Sequence, residues 1–357
     1  MIGMERERVP RLSHRIIRDL YNVIRWYDEN RGIGRAAIVL NYYDLWWNLH
    51  ALTVNISEEG WRALGDLAEL LNLRLRNRNE EMMFLFAIET YLHLFMRALS
   101  LSKLGRSVSN IQQFISAILS QRNIFPPSPL EWAFEAINDN ALRADLRNAL
   151  TQDLDTMFTV LYNLNTITLT TDVFRDVYQN IVPREIRRSL GEFYTKEDIV
   201  DEVLDAAGLD DSALITLYER WRRGEKPIIL DPACGSGSFL IKVIERIFNA
   251  LGCNKADVAA FIEDTLVGMD INPLAVEMAR LNIILALTSH MSKCEATYVP
   301  VKVKVFWADS LAIFKRNKDV LGISSVKIIV PSLERIIGTS ELSVPEIPNI
   351  GIDELID

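Results

Sequence analysis

Three aspartates each close an apolar run: Asp231 in PIILDPACGSGSFL, Asp270 in TLVGMD and Asp309 in VKVKVFWAD. After the first comes a tight turn containing Gly235 and Gly237, and then a new apolar pattern. Glycines at such a place let the backbone approach a ligand closely at a helix N-terminus. The turn does not suit a pyrophosphate. A dinucleotide fingerprint needs a third glycine where this chain has Leu240, and no Gly-Lys-Ser/Thr of a phosphate loop follows. Any one of these aspartates alone reads as a solvated loop residue. Three of them, each ending an apolar run, point to a shared site.

The elements that must position them alternate. PIILD (227–231), TLVGMD (265–270) and VKVKVFWAD (301–309) read as strands. SGSFLIKVIERIFNALG (236–252) reads as a helix with Phe239, Leu240, Val243, Ile244 and Ile247 facing inward and a glycine at its end. NPLAVEMARLNIILALT (272–288) is a second helix, with Pro273 in its first turn. Upstream, Thr195 is placed to cap a helix whose stripe is Ile199, Val200, Val203 and Leu204. Strand–helix alternation predicts an α/β unit, a parallel sheet with helices on both faces. Ligands of such sheets sit at the carboxyl ends of the strands. There Asp231 can accept from an ammonium group, Asp270 from two ribose hydroxyls and Asp309 from the exocyclic amine of an adenine. Together these describe S-adenosylmethionine.

DPACGSGSFL, GMDINPLAVEMARLNIIL and WADSL resemble, in order, the first three cofactor motifs of class I methyltransferases, most closely those of adenine-specific (N6) DNA methyltransferases of restriction–modification systems, type I/IIG-like. SLGEFYTKEDIV (189–200) resembles the Gly-x-Phe-Tyr-Thr turn that, in this family, closes over the methionine end of the cofactor; Lys196 stands where the family often has proline. The resemblance spans about 181 to 311 and implies a Rossmann-like fold. It implies cofactor contacts from Phe193, Tyr194, Thr195, Asp231, Pro232, Ala233, Gly235, Gly237, Asp270, Ile271, Asp309 and Ser310. The expected organisation is a helical N-terminal domain, 1–180, and a partial methyltransferase domain, 181–357. The family's catalytic Asn/Asp-Pro-Pro-Tyr/Phe/Trp motif, which holds the flipped base, is missing from this sequence. Asn272-Pro273 continues with Leu274, and Pro126-Pro127 lies far upstream. No catalytic residue is therefore assigned, and the chain alone is expected to be inactive. Its implied partners are DNA, reached through other parts, and a second polypeptide with the catalytic and target-recognition regions. The alternative is a non-catalytic S-adenosylmethionine-binding or scaffolding module.

Composition sets the remaining bounds. The chain has 357 residues, 49% hydrophobic and 24% charged, enough for two or three domains. Its net charge of −9 is uneven: residues 1–190 hold 21 Arg and 1 Lys against 22 acids, so the whole deficit lies in 191–357. That half is too acidic to grip a phosphate backbone on charge alone. No uninterrupted apolar stretch approaches the roughly 18–20 residues of a membrane helix. The N-terminus has no secretory pattern, and Cys234, Cys253 and Cys294 lack pairing or metal spacing. They read as reduced thiols in a cytoplasmic protein, with Cys234 a small packed residue. The four histidines form no ligand pair, so no metal is expected. Aromatic pairs such as Trp46-Trp47 read as packing, and PREIRRS (183–189) as a solvated helix face. EEMMFLFAIETYLHLFMRALSLS (80–102) reads as a buried central helix, and FPPSP (125–129) as the strongest break.

Overall fold

The computed structural model describes residues 2–53, 56–106, 108–163, 182–189, 197–252, 257–294, 302–308 and 310. Phe193, Tyr194, Thr195 and Asp309 lie outside these residues, and so do the cap at Thr195 and the Gly-x-Phe-Tyr-Thr turn.

The first part of the chain is helical: α1 (Ile2–Glu29), α2 (Ala36–Thr53), α3 (Glu58–Leu70), α4 (Arg78–Lys103), α5 (Ile111–Ser120), a 3-10 turn (Pro129–Glu131), α6 (Trp132–Ile137), α7 (Ala144–Asn163) and α8 (Arg184–Ser189). Helix α4 is the hub, with α1, α2, α3, α5 and α7 packed on it. It is buried on every side from Met82 to Leu101, as its all-round apolar sequence predicts. Length and composition alone would let it cross a membrane, but its apolar window is wholly enclosed by the other elements. Polar groups on α4 find partners inside. Thr90 accepts from Trp132 Nε1 at 2.7 Å, and Glu89 from Trp46 Nε1 at 2.8 Å. The break at 125–129 interrupts the helices but is no exposed linker. Phe125, Ser128 and Pro129 are buried, and the Pro126 carbonyl accepts from Arg97.

The second part holds α9 (Glu197–Ala206), α10 (Asp211–Arg222), β1 (Ile229–Asp231), α11 (Ser238–Leu251), α12 (Val258–Thr265), β2 (Leu266–Asp270), α13 (Pro273–Lys293) and β3 (Val305–Trp307). The strands are parallel in the order β1-β2-β3, with Asp231 opposite Gly268 and Asp270 opposite Trp307. Two right-handed crossovers running the same way across a sheet place their helices on one face. Helices α11 and α13 accordingly pack against one another, and both pack on β2. Helix α11 lies close to β2: a Cβ on Gly268 would stand 2.7 Å from Leu240 Cδ1 and 3.2 Å from Cys234 Sγ.

Helices α10 and α12 lie where the sequence suggested none. Helix α10 buries Leu214 and Tyr218, and its Trp221 Nε1 donates to Asp264 on α12 at 2.9 Å. On α9 only Val200 and Leu204 of the expected stripe are buried; Ile199 and Val203 are each 46% exposed. The short α9 packs on α11. Cys294 is disulfide-bonded, which corrects the reading of three reduced thiols; such pairing depends on tertiary packing and leaves no spacing signature. Because α11 leaves no room above Gly268, Gly268→Val should destabilise the fold by about 1–3 kcal/mol, the usual scale of overpacking. Urea unfolding measures it.

Candidate functional site

The loops after all three strands meet at Asp270. Gly235, in the turn after β1, has φ +52° and donates its N–H to Asp270 Oδ2 at 2.8 Å. Asn272 N donates to Asp270 Oδ1 at 2.8 Å, and Ala308 N, just after β3, to the Asp270 carbonyl at 3.0 Å. Trp307 Nε1 donates to the Ile271 carbonyl at 2.8 Å. A carboxylate has about four lone-pair sites, so Asp270 keeps acceptor capacity beyond the two backbone donors.

The turn itself is fastened from below. Cys234 is buried, its N–H donates to the Met269 carbonyl at 2.8 Å, and Gly237 N donates to the Cys234 carbonyl at 2.8 Å. Burial pushes the Cys234 thiol well above its ordinary pKa, so it is an inert packed thiol as the sequence predicts. Gly237 caps α11 at φ +89°, and a side chain there would press on Ala279 of α13 at 3.2 Å. Asn282 Nδ2 on α13 donates to the Ser236 carbonyl at 2.9 Å. Sequence reading missed Ala279 and Asn282 as supports. Their signal was faint: a small residue and one amide in the apolar pattern of ARLNIIL.

Asp231 stands beside this turn. Its Oδ1 accepts from Ala233 N at 3.1 Å, while its Oδ2 is buried with no hydrogen-bond partner among the described residues. Burial raises its pKa, the Ala233 N–H offsets part of that, and the Asp270 charge raises it further. Pro232 and Ala233 are exposed at the rim, and Ile271 and Ser310 are half-buried. Of the twelve expected contact residues, the structure thus brings Asp231, Pro232, Ala233, Gly235, Gly237, Asp270 and Ile271 to the ends of β1 and β2, with Ser310 in a turn after β3. The other four lie outside the described residues. No cluster of metal-ligating side chains occurs among the described residues.

Residues 169–303 match the family model described as N-6 DNA methylase. This bears out the resemblance to adenine-specific DNA methyltransferases over that segment. Among solved structures, a modification subunit assigned to a type I restriction enzyme from Vibrio vulnificus YJ016 is similar at 12% identity and a TM-score of 0.35, over 72% of this chain and 57% of that one. The chain thus spans little more than half the length of that subunit. No curated protein matches it.

The raised pKa of Asp231 makes stability depend on pH. Folding favours its protonated form, so its contribution to stability is greatest below the ordinary aspartate range and is lost as pH rises through the raised value. Asp231→Asn, which keeps an acceptor for Ala233, should therefore be more stable than the wild type at neutral pH and equal to it at acid pH. Thermal melts across roughly pH 3–7, the range around a carboxylate pKa, check this.

Proposed function

We propose that this chain is the cofactor-binding part of a site-specific adenine-N6 DNA methyltransferase of the restriction–modification kind, and that the cofactor is S-adenosylmethionine. The observation that carries the reading is the orphaned, buried Asp231 Oδ2 beside a glycine turn that is tied by Gly235 to Asp270. An ammonium group supplies the donor that Asp231 lacks. The free lone pairs of Asp270 suit ribose hydroxyls, and Asp309 remains the proposed partner of the adenine amine. Two acids in a half-buried site also suit a ligand that carries positive charge on both nitrogen and sulfur. Phe193, Tyr194 and Thr195 are proposed to close over its methionine end.

When bound, the cofactor supplies an electrophilic methyl group. The chain's own residues orient it and exclude water; they do not hold the acceptor. Transfer also requires the adenine amine in line with the methyl and acceptors for its protons. It further requires an aromatic group to offset a base-flipping cost of a few kcal/mol. The sequence has no Asn-Pro-Pro-Tyr to supply these. The absence of that motif also favours a second reading, a cofactor-binding module that performs no transfer.

Calorimetry with S-adenosylhomocysteine tests the binding. The wild type should bind, and Asp270→Ala should weaken binding by about 1–3 kcal/mol, the scale of unpaired charged hydrogen bonds. No binding at millimolar ligand overturns the reading. Transfer of labelled methyl to unmethylated DNA should be absent with the chain alone and appear on adding a polypeptide with Asn-Pro-Pro-Tyr. Continued silence would favour the non-catalytic module.

A further inference from the structure

We propose that Arg97, at the centre of the helical region, is a positioning residue for the loop that carries Asp270. The inference rests on the cofactor reading only for the ligand used in one arm of its test.

Arg97 is completely buried on α4. Its Nε and Nη2 donate to Glu277 on α13 at 3.1 and 2.8 Å. Its Nη1 pairs with Glu131 of the 3-10 turn, and Nη2 also donates to the Pro126 carbonyl at 2.7 Å. One turn along α13, Arg280 Nη1 donates to the same Glu277 Oε1 at 2.5 Å, and Arg280 Nη2 donates to the Val305 carbonyl of β3. Gly268 N donates to the Lys304 carbonyl at 2.9 Å, so the neighbouring Val305 carbonyl faces away from β2, along the outer edge of the sheet among the described residues. Arg280 caps that edge. Two and three residues on, Trp307 and Ala308 bond to Ile271 and Asp270. An unbroken series of contacts, buried as far as Val305 and half-buried beyond it, thus runs from Glu131 through Arg97, Glu277, Arg280 and β3 to the site.

Charge balance does not require Arg97. Glu131 also pairs with Arg122 at 2.7 and 3.1 Å, and Glu277 with Arg280. His93, 3.9 Å from Glu277, is kept neutral by burial and by Arg97. Without Arg97 each glutamate still has an arginine, so neither buried charge is abandoned. What Arg97 adds is the link between the two pairs: its planar fork fixes α13 against the helical region in one register.

The test is amide hydrogen exchange of the full chain, free of ligand, in Arg97→Met and Arg97→Lys, with Glu89→Gln as a control that disturbs a different buried pair on α4. In Arg97→Met, exchange within 268–275 and 302–308 should rise about tenfold, the ordinary reach of a coupling contact. Arg97→Lys should fall between, and Glu89→Gln should match the wild type in both segments. Affinity for S-adenosylhomocysteine should fall in the same order. If Arg97→Met leaves the two segments at wild-type rates, or changes them no more than Glu89→Gln does, the proposal is overturned. Should Arg97→Met not fold, Arg97→Lys decides by the same comparison. A wild type that binds no S-adenosylhomocysteine would remove the cofactor reading, while the exchange rates would still decide the role of Arg97.

Discussion

The hydrogen bond from the Gly235 N–H to the Asp270 carboxylate is the constraint around which the site is built. It ties the loop after β1 to the loop after β2, and Asp270's own carbonyl ties both to the end of β3. A charge-assisted bond of this kind is worth about 1.5–3 kcal/mol. It also requires Gly235 to hold a left-handed conformation that a side chain would resist. Everything below serves that contact. Cys234 plugs the space under the turn, Gly268 lets α11 descend onto β2, and Ala279 and Asn282 of α13 meet the turn from the side.

The same geometry explains why Asp231 is left with an unmet acceptor. Its backbone ends β1 and is fixed by pairing with β2, while the turn takes Ala233 across one of its oxygens. The second oxygen is enclosed without a donor among the described residues. A buried acceptor in that state is destabilising by itself. Proteins retain such groups at binding sites, where the ligand supplies the partner. The acidic character of this half of the chain fits a cationic small ligand far better than it fits a phosphate backbone.

Much of this was legible in the sequence because it is local. A buried strand, a glycine turn and an amphipathic helix each leave a pattern within about fifteen residues, and β1, β2, α11 and α13 follow it closely. Pro273 lies in the first turn of α13 as its position predicts, and Asn272 before it caps the helix. Long-range contacts left no such pattern. Arg97 and Glu277 are 180 residues apart, and nothing near either marks it as half of a buried pair. The prolines of 125–129 read as the strongest break in sequence, but the Pro126 carbonyl accepts from buried Arg97. Ile199 and Val203 look like core on periodicity alone, but among the described residues α9 packs on α11 through the side that carries Val200 and Leu204, and these two stay exposed. Helix α10 was missed because its capping signal, Asp210 before ALITLYERW, follows another helix after only a short turn.

The central claim is that the ends of β1 and β2 form one cofactor site. Ultraviolet crosslinking of labelled S-adenosylmethionine to the purified chain, followed by peptide mapping, tests it most directly. Label is expected within 229–240 and 266–275, displaced by S-adenosylhomocysteine and lost in Asp270→Ala. Displaceable label confined to the helical region, with none in those two segments, would contradict it.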